Sequence, residues 1–210
     1  MSYKPDIKRL DVETPLGVVH LAAFPKKSHR EVIFGILSEV SGRPIAAEDL
    51  NQPDSSSRPG FPSLDMDVNW THSGELCVVA YTDSRSIRVG VDLERHSPKR
   101  LPVADRFYNP QEVERLKDLS ASGSQDAAVS EFFRLWCRKE ALFKCVGGNF
   151  FSDALGSNLI ESPVDSSGHQ VHFVDLPSDA VLSLGPLFQD KKKDADSSAS
   201  LCVAVARWPQ

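Results

Sequence analysis

FFRLWCRKEALFK, residues Phe132–Lys144, reads as a helix whose apolar side also carries charge. At about 100° of turn per residue, Phe132, Phe133, Leu135, Trp136, Leu142, Phe143 and Val146 share one broad face. Arg134 and Arg138 are expected to point away into solvent. Lys139 lies near the middle of the stripe, Glu140 between the directions of Phe133 and Trp136, and Lys144 at its edge. A carboxylate pushed into apolar surroundings costs several kcal/mol or shifts its pKa unless something compensates it. Either Glu140 is half of a buried ion pair, with Lys144 or another cation, or it faces a cleft and meets a metal ion or substrate. Partner carboxylates elsewhere in the chain favour the second reading.

They occur in VGVDLE, Val89–Glu94. In a strand, residues two apart project to the same face, so Val89, Val91 and Leu93 face one way and Gly90, Asp92 and Glu94 the other. Adjacent carboxylates repel unless they are solvated, as on an exposed strand edge, or share a cation. Gly90 beside them lets something approach the backbone closely. A hard divalent ion such as Mg²⁺ takes one or two carboxylates plus waters and phosphate oxygens. Asp92, Glu94 and Glu140, with Lys139 and Lys144 to attract phosphate, form a tool set for metal-assisted attack at a phosphoryl centre.

The remaining chain sets bounds on that chemistry. Its 210 residues suffice for one large domain or two small ones with a real core. Apolar content of 40% and charged content of 25% are those of a soluble globular protein. A net charge of −5 argues against a general nucleic-acid or anionic-membrane binder. No segment approaches the ~18 apolar residues of a membrane span. MSYKPDIKRLDVE has no signal-like apolar run, so a cytoplasmic location is expected. Cys77, Cys137, Cys145 and Cys202 form no CxxC pair, sit in apolar stretches and are expected to be reduced and buried.

Val18–Phe24 reads as a strand, followed by a helix opened at Ser28 by an S-x-x-E capping box and carried by Val32, Ile33, Ile36, Leu37 and Val40. Asn51–Pro62 reads as a loop. Leu76–Thr82 and Ile87–Glu94 read as strands joined in a hairpin through Asp83–Ser86. Two short helices are expected over Val103–Leu119, with a break at Pro110, then a loop over Ser120–Asp126 and the helix Glu131–Val146. Val171–Val174, Val181–Leu184 and Leu201–Ala206 read as strands, and Asp190–Ser200 as a charged, mobile loop. A helix flanked by strands in each half, each ending in VVA or VAVA, hints at duplication.

VGVDLE and FFRLWCRKEALFK together resemble the signature of the 4′-phosphopantetheinyl transferase family, Sfp-like type: a (V/I)G(V/I)D(V/I)E strand, then a (F/Y)xxWxxKEAxxK helix. Asn69-Trp70-Thr71-His72-Ser73 resembles the family's FN-x-SHS block, Gly42-Arg43-Pro44 its G-K-P block, and Arg106-Phe107-Tyr108 with Glu112 its RFF…E segment. Glu112 by itself reads as an ordinary solvated helix residue.

The resemblance implies an α+β fold of two pseudo-symmetric halves with the active site between them. Residues 1–88 would contribute coenzyme A contacts and residues 89–210 the Mg²⁺-binding and catalytic motifs. It implies Mg²⁺-dependent transfer of 4′-phosphopantetheine from coenzyme A to a serine of an apo acyl or peptidyl carrier protein. Asp92, Glu94 and Glu140 would be the metal ligands. Glu140 is also a candidate base, and Lys144 would contact the pyrophosphate. Thr71 and His72 would hold coenzyme A phosphates and Arg43 its 3′-phosphate end. The duplicated halves imply a monomer.

The pattern departs at Thr71, which keeps a hydroxyl where the family has serine, and at Arg43, which keeps the charge and can grip phosphate in bidentate fashion. The region before Gly42 is short for this type and offers Lys26, Lys27 and Arg30. Asn51–Pro62 reads as an insertion. An acidic carrier would need a local basic patch, for which Arg106–Arg115 is the candidate. A silent homologue that binds coenzyme A or a carrier is the alternative; retention of all three carboxylates and Lys144 favours the enzyme.

Overall fold

Two strands buried along nearly their whole length organise the molecule: β4 (Leu76–Thr82) and β7 (Ala199–Arg207). The computed structural model describes residues 6–27, 29–52, 58–147, 154–160, 170–185 and 198–208. β1 (Lys8–Thr14), β2 (Gly17–Pro25), β4 and β3 (Val68–Ser73) form an antiparallel sheet in the order β1-β2-β4-β3. β5 (Ile87–Arg95), β7 and β6 (Val171–Leu176) form a second in the order β5-β7-β6.

Alternation along the central strands explains the layering. Leu76, Val78 and Ala80 of β4 share one apolar cluster with Leu201, Val203 and Val205 of β7 and Val89, Val91 and Leu93 of β5, so the sheets meet face to face. The opposite face of β4 (Cys77, Val79, Tyr81) packs on Val32, Ile33, Ile36 and Leu37 of α1 (His29–Ser41). The opposite face of β7 (Cys202, Ala204, Ala206) packs on the helix that carries Phe132, Phe133 and Ala141. That helix, designated α4, spans Gln125–Val146. The order is therefore helix, sheet, sheet, helix.

The connectivity repeats. In β2-α1-β3-β4 the last strand lies between the first two, and β5-α4-β6-β7 does the same. The expected doubled α+β architecture is thus present. α2 (Ala104–Phe107) and α3 (Pro110–Ala121) lie between β5 and α4. Pro110 starts α3 because its missing N–H is no loss at a first helical position, and the Asn109 side chain caps Gln111 N. All four cysteines are buried and unpaired. No helix among the described residues is long and apolar enough to cross a membrane.

Several expectations are corrected. β4 and β5 do turn through Asp83–Ser86 but do not form a hairpin: each belongs to a different sheet. Strong turn residues report a reversal, not which edge the next strand joins. Ser178–Ser183 is a helix, α5, where Val181–Leu184 read as a strand, and Val181 is its buried anchor. β1 adds an edge strand that the sequence reading passed over. α4 begins six residues before Glu131 and absorbs the end of the expected loop. The Ser28 cap lies outside the described residues, as do residues 53–57 of the Asn51–Pro62 segment and most of Asp190–Ser200.

Candidate active site

The site forms where edge strand β3 of one sheet runs beside edge strand β5 of the other. Side chains replace a backbone ladder there: Val89 N donates to Asp67 Oδ2 (2.8 Å), Val91 N to Asn69 Oδ1 (3.1 Å) and Arg95 N to Ser73 Oγ (3.2 Å). The constant offset of 22 residues in these bonds sets Thr71 level with Leu93, and Thr71 Oγ1 donates to the adjacent Asp92 Oδ1 at 3.1 Å.

Helix α4 lies on the face of β5 that carries Gly90, Asp92 and Glu94. The close approach read at Gly90 is made by this helix and not by a ligand: a Cβ there would fall 2.0 Å from the Ala141 carbonyl oxygen. The approach brings Lys144 onto the strand. Its ammonium donates to Asp92 Oδ1 (2.6 Å), to Val91 O (3.2 Å) and to Thr71 Oγ1 (3.3 Å). Asp92 raises the Lys144 pKa against the opposing effect of burial.

Asp92 is only 4% exposed. Its Oδ1 takes both contacts, whereas its Oδ2 is buried without a hydrogen-bond partner among the described residues. Leaving such an oxygen unsatisfied costs about 1–3 kcal/mol. Glu94 and Glu140 are half-buried, and both are electrostatically strained. Burial, then the Asp92 charge, pushes Glu94 up to about 6 and Glu140 up to about 7. Lys144 lowers both, and Arg100 and Arg95 further lower Glu94, yet burial and the neighbouring carboxylates outweigh these cations. Among the described residues no three His, Cys, Asp or Glu side chains stand close enough to form a ready-made metal cage.

A basic group adjoins the acidic one. His72 is exposed, and burial of part of its ring, Lys26, His29 and Lys144 all lower its pKa. The His29 and His72 ring centroids lie 6.5 Å apart. Of the cations before Gly42, Lys26 is thus beside His72. His29 was missed, because in SHRE it reads only as a helix-start residue. Arg43 stands elsewhere, with its guanidinium on Ser63 Oγ and 3.6 Å from Asp49.

Lys139 and Glu112 need correction. Lys139 is no phosphate ligand and Glu112 is no solvated residue: both side chains are 0% exposed and pair at 2.8 Å. Lys139 Nζ also donates to the carbonyls of Ala154, Leu155 and Ser157. Glu112 accepts from Leu159 N and Asn109 N. Arg134 and Arg138, expected in solvent, are partly buried and share Asp175.

A sequence model described as the 4′-phosphopantetheinyl transferase superfamily matches residues 88–192. The chain is 31% identical over 123 residues to the 4′-phosphopantetheinyl transferase gsp of Aneurinibacillus migulanus, covering 55% of this chain and 49% of that protein. It is 35% identical over 160 residues to the 4′-phosphopantetheinyl transferase Sfp of Bacillus subtilis (strain 168), covering 73% and 62%. It is 30% identical over 186 residues to the 4′-phosphopantetheinyl transferase ffp of Bacillus subtilis, covering 82% and 73%. The chain thus spans about half the length of some of these relatives and nearly three quarters of another.

Proposed function

Because the chain belongs to the 4′-phosphopantetheinyl transferase superfamily, we propose that it moves 4′-phosphopantetheine from coenzyme A to a serine of an apo acyl or peptidyl carrier protein, with Mg²⁺ as cofactor. The observation that carries this reading is the unpartnered Asp92 Oδ2 beside two carboxyls that Asp92 itself raises. Such a group accepts a cation, and its oxygen donors are those a hard divalent ion prefers. Asp92, Glu94 and Glu140 would hold the ion. When bound, Mg²⁺ would supply neutralisation of the pyrophosphate and of charge developing at the phosphoryl centre.

In this reading residues 1–88 grip the donor and residues 89–210 carry the chemistry. His72, Lys26 and His29, with the Thr71 hydroxyl, orient coenzyme A phosphates. Arg43 takes the 3′-phosphate end, exchanging Asp49 and Ser63 for phosphate oxygens. Lys144 faces the pyrophosphate. The carrier serine oxygen attacks the β-phosphorus, and its proton passes to Glu140, directly or through a water. Beside the ion Glu140 would be ionised and so able to accept that proton. The bond from that phosphorus to the bridging oxygen breaks, and 3′,5′-ADP leaves with Lys144 balancing its charge. The protein acts as a monomer in the cytoplasm.

The test is the intact mass of an apo carrier after incubation with the protein, coenzyme A and Mg²⁺, beside an EDTA control. A gain of one phosphopantetheine that EDTA prevents supports both reaction and ion. No gain across fatty-acid, polyketide and peptide-synthetase carriers overturns the transferase reading.

A further inference from the structure

Arg58 lies between α1 and β3, and the proposed reaction makes no use of it. Its guanidinium nevertheless reaches the two elements that carry the acidic site. Nε donates to Lys144 O at 2.8 Å and Nη2 to Val89 O at 3.0 Å. Nη1 donates to Asp67 Oδ1 at 2.9 Å, and Nη2 also engages Asp67 Oδ2. Asp67 in turn accepts from Val89 N at 2.8 Å.

The residues that follow Arg58 are themselves held. Asn51 and Gly60 exchange backbone hydrogen bonds of 2.8 and 3.1 Å. Phe61 and Leu64 are buried in the cluster beneath α1. The Arg58 guanidinium meets the last turn of α4, where carbonyls lack helical partners and a cation is favoured. Asp67 neutralises Arg58 locally, so the guanidinium does not rival Lys144 for an anion.

We propose that Arg58 is a positioning residue: it clamps the last turn of α4 to β5 and so holds the Lys144 ammonium at Asp92. The clamp joins the coenzyme A half to the catalytic half through three donors on one planar group, a geometry that lysine cannot reproduce. Its functional consequence rests on the transferase reading.

A double-mutant cycle tests it, because residues acting through one another give non-additive effects. Coenzyme A affinity is measured by calorimetry for wild type, Arg58→Gln, Lys144→Met and the double variant. Arg58→Gln is expected to weaken binding by at least about fivefold, and Lys144→Met to weaken it as well. The double variant is expected to bind no more weakly than Lys144→Met alone. Wild-type affinity in Arg58→Gln, or losses that multiply in the double variant, overturn the inference. Should circular dichroism show Arg58→Gln unfolded, Arg58→Lys carries the same cycle, with an intermediate loss expected. A wild-type protein that binds no coenzyme A overturns the transferase reading itself and this inference with it, which separates that failure from a failure of the clamp alone.

Discussion

Gly90 of β5 lies so close under Ala141 of α4 that a Cβ on the glycine would fall 2.0 Å from the alanine's carbonyl oxygen and 2.6 Å from Cys145 N. Both obstacles are helix backbone, so no rotamer change relieves the clash. Gly90→Ala must lift α4 from the strand, and Glu140 and Lys144 move with it. Overpacking of this kind costs about 1–3 kcal/mol or more. For a chain of this size that lowers Tm by at least about 2 °C. Coenzyme A binding is expected to weaken with it. An unchanged Tm in Gly90→Ala would show that the helix does not sit where it is described.

Asp92 is expected to be far more important for transfer than for stability. Its Oδ2 has no partner among the described residues, and Asp92→Asn removes the charge that strains Glu94 and Glu140. Transfer to an apo carrier should fall by at least about a hundredfold, on the scale of lost charge stabilisation at a reacting centre. Circular dichroism and Tm should stay near wild type. Wild-type turnover in this variant contradicts the assignment of Asp92 to the cation group.

The buried pair of Lys139 and Glu112 makes the opposite prediction. Removing one partner leaves the other charge buried and uncompensated, which costs about 3–5 kcal/mol. Glu112→Gln also weakens the acceptor for Leu159 N and Asn109 N. The variant should unfold at markedly lower denaturant concentration. Full stability, read from urea melts, would show that Lys139 is adequately held by the carbonyls of 154–157 alone.

These contrasts show which features can be read from local sequence. The alternation of Val89, Val91 and Leu93 against Gly90, Asp92 and Glu94 is local, and the structure keeps it: the apolar set packs between the sheets and the other faces α4. The Lys139–Glu112 pair joins residues on two helices, so helical geometry placed Lys139 in the apolar stripe without naming its partner. Arg134 and Arg138 failed for the same reason, since Asp175 lies on a strand far along the chain. Sheet membership of β5 depends on β7, which pairs along its whole length, and not on the Asp83–Ser86 turn. Lys26 was one of three basic residues the sequence offered, but that it and His29 stand at His72 follows only from β2 running antiparallel to β4 in a register that ends Pro25 opposite Leu76.

Carrier docking offers a separate test. Arg115 and Lys117 are engaged with Glu131 and Asp105, so the exposed Arg106, stacked 4.9 Å from the Phe107 ring, is the cation of this region offered for docking. Arg106→Glu should raise KM for an acidic carrier severalfold at low salt, with kcat nearly unchanged and the difference shrinking as ionic strength rises. A KM that does not respond moves the carrier to another face.

Stability should also depend on pH through His20, far from the acidic site. Its Nδ1 lies 2.8 Å from Asp11 Oδ1 and its Nε2 3.2 Å from Asp83 Oδ2, while Tyr81 stacks on the ring at 5.0 Å. Burial alone lowers the pKa, but the two aspartates outweigh it and raise the folded value above 6.5. The folded state therefore binds the proton more tightly than the unfolded one. The stability this contributes is complete below the unfolded pKa of about 6.5 and is lost as pH rises through the folded value. His20→Asn removes it. The Tm difference between wild type and variant should be largest at pH 5.5–6, a range chosen as roughly below that unfolded pKa, and should shrink as pH rises through the folded value. A difference that grows with pH would mean that the imidazolium is not the form the two aspartates hold.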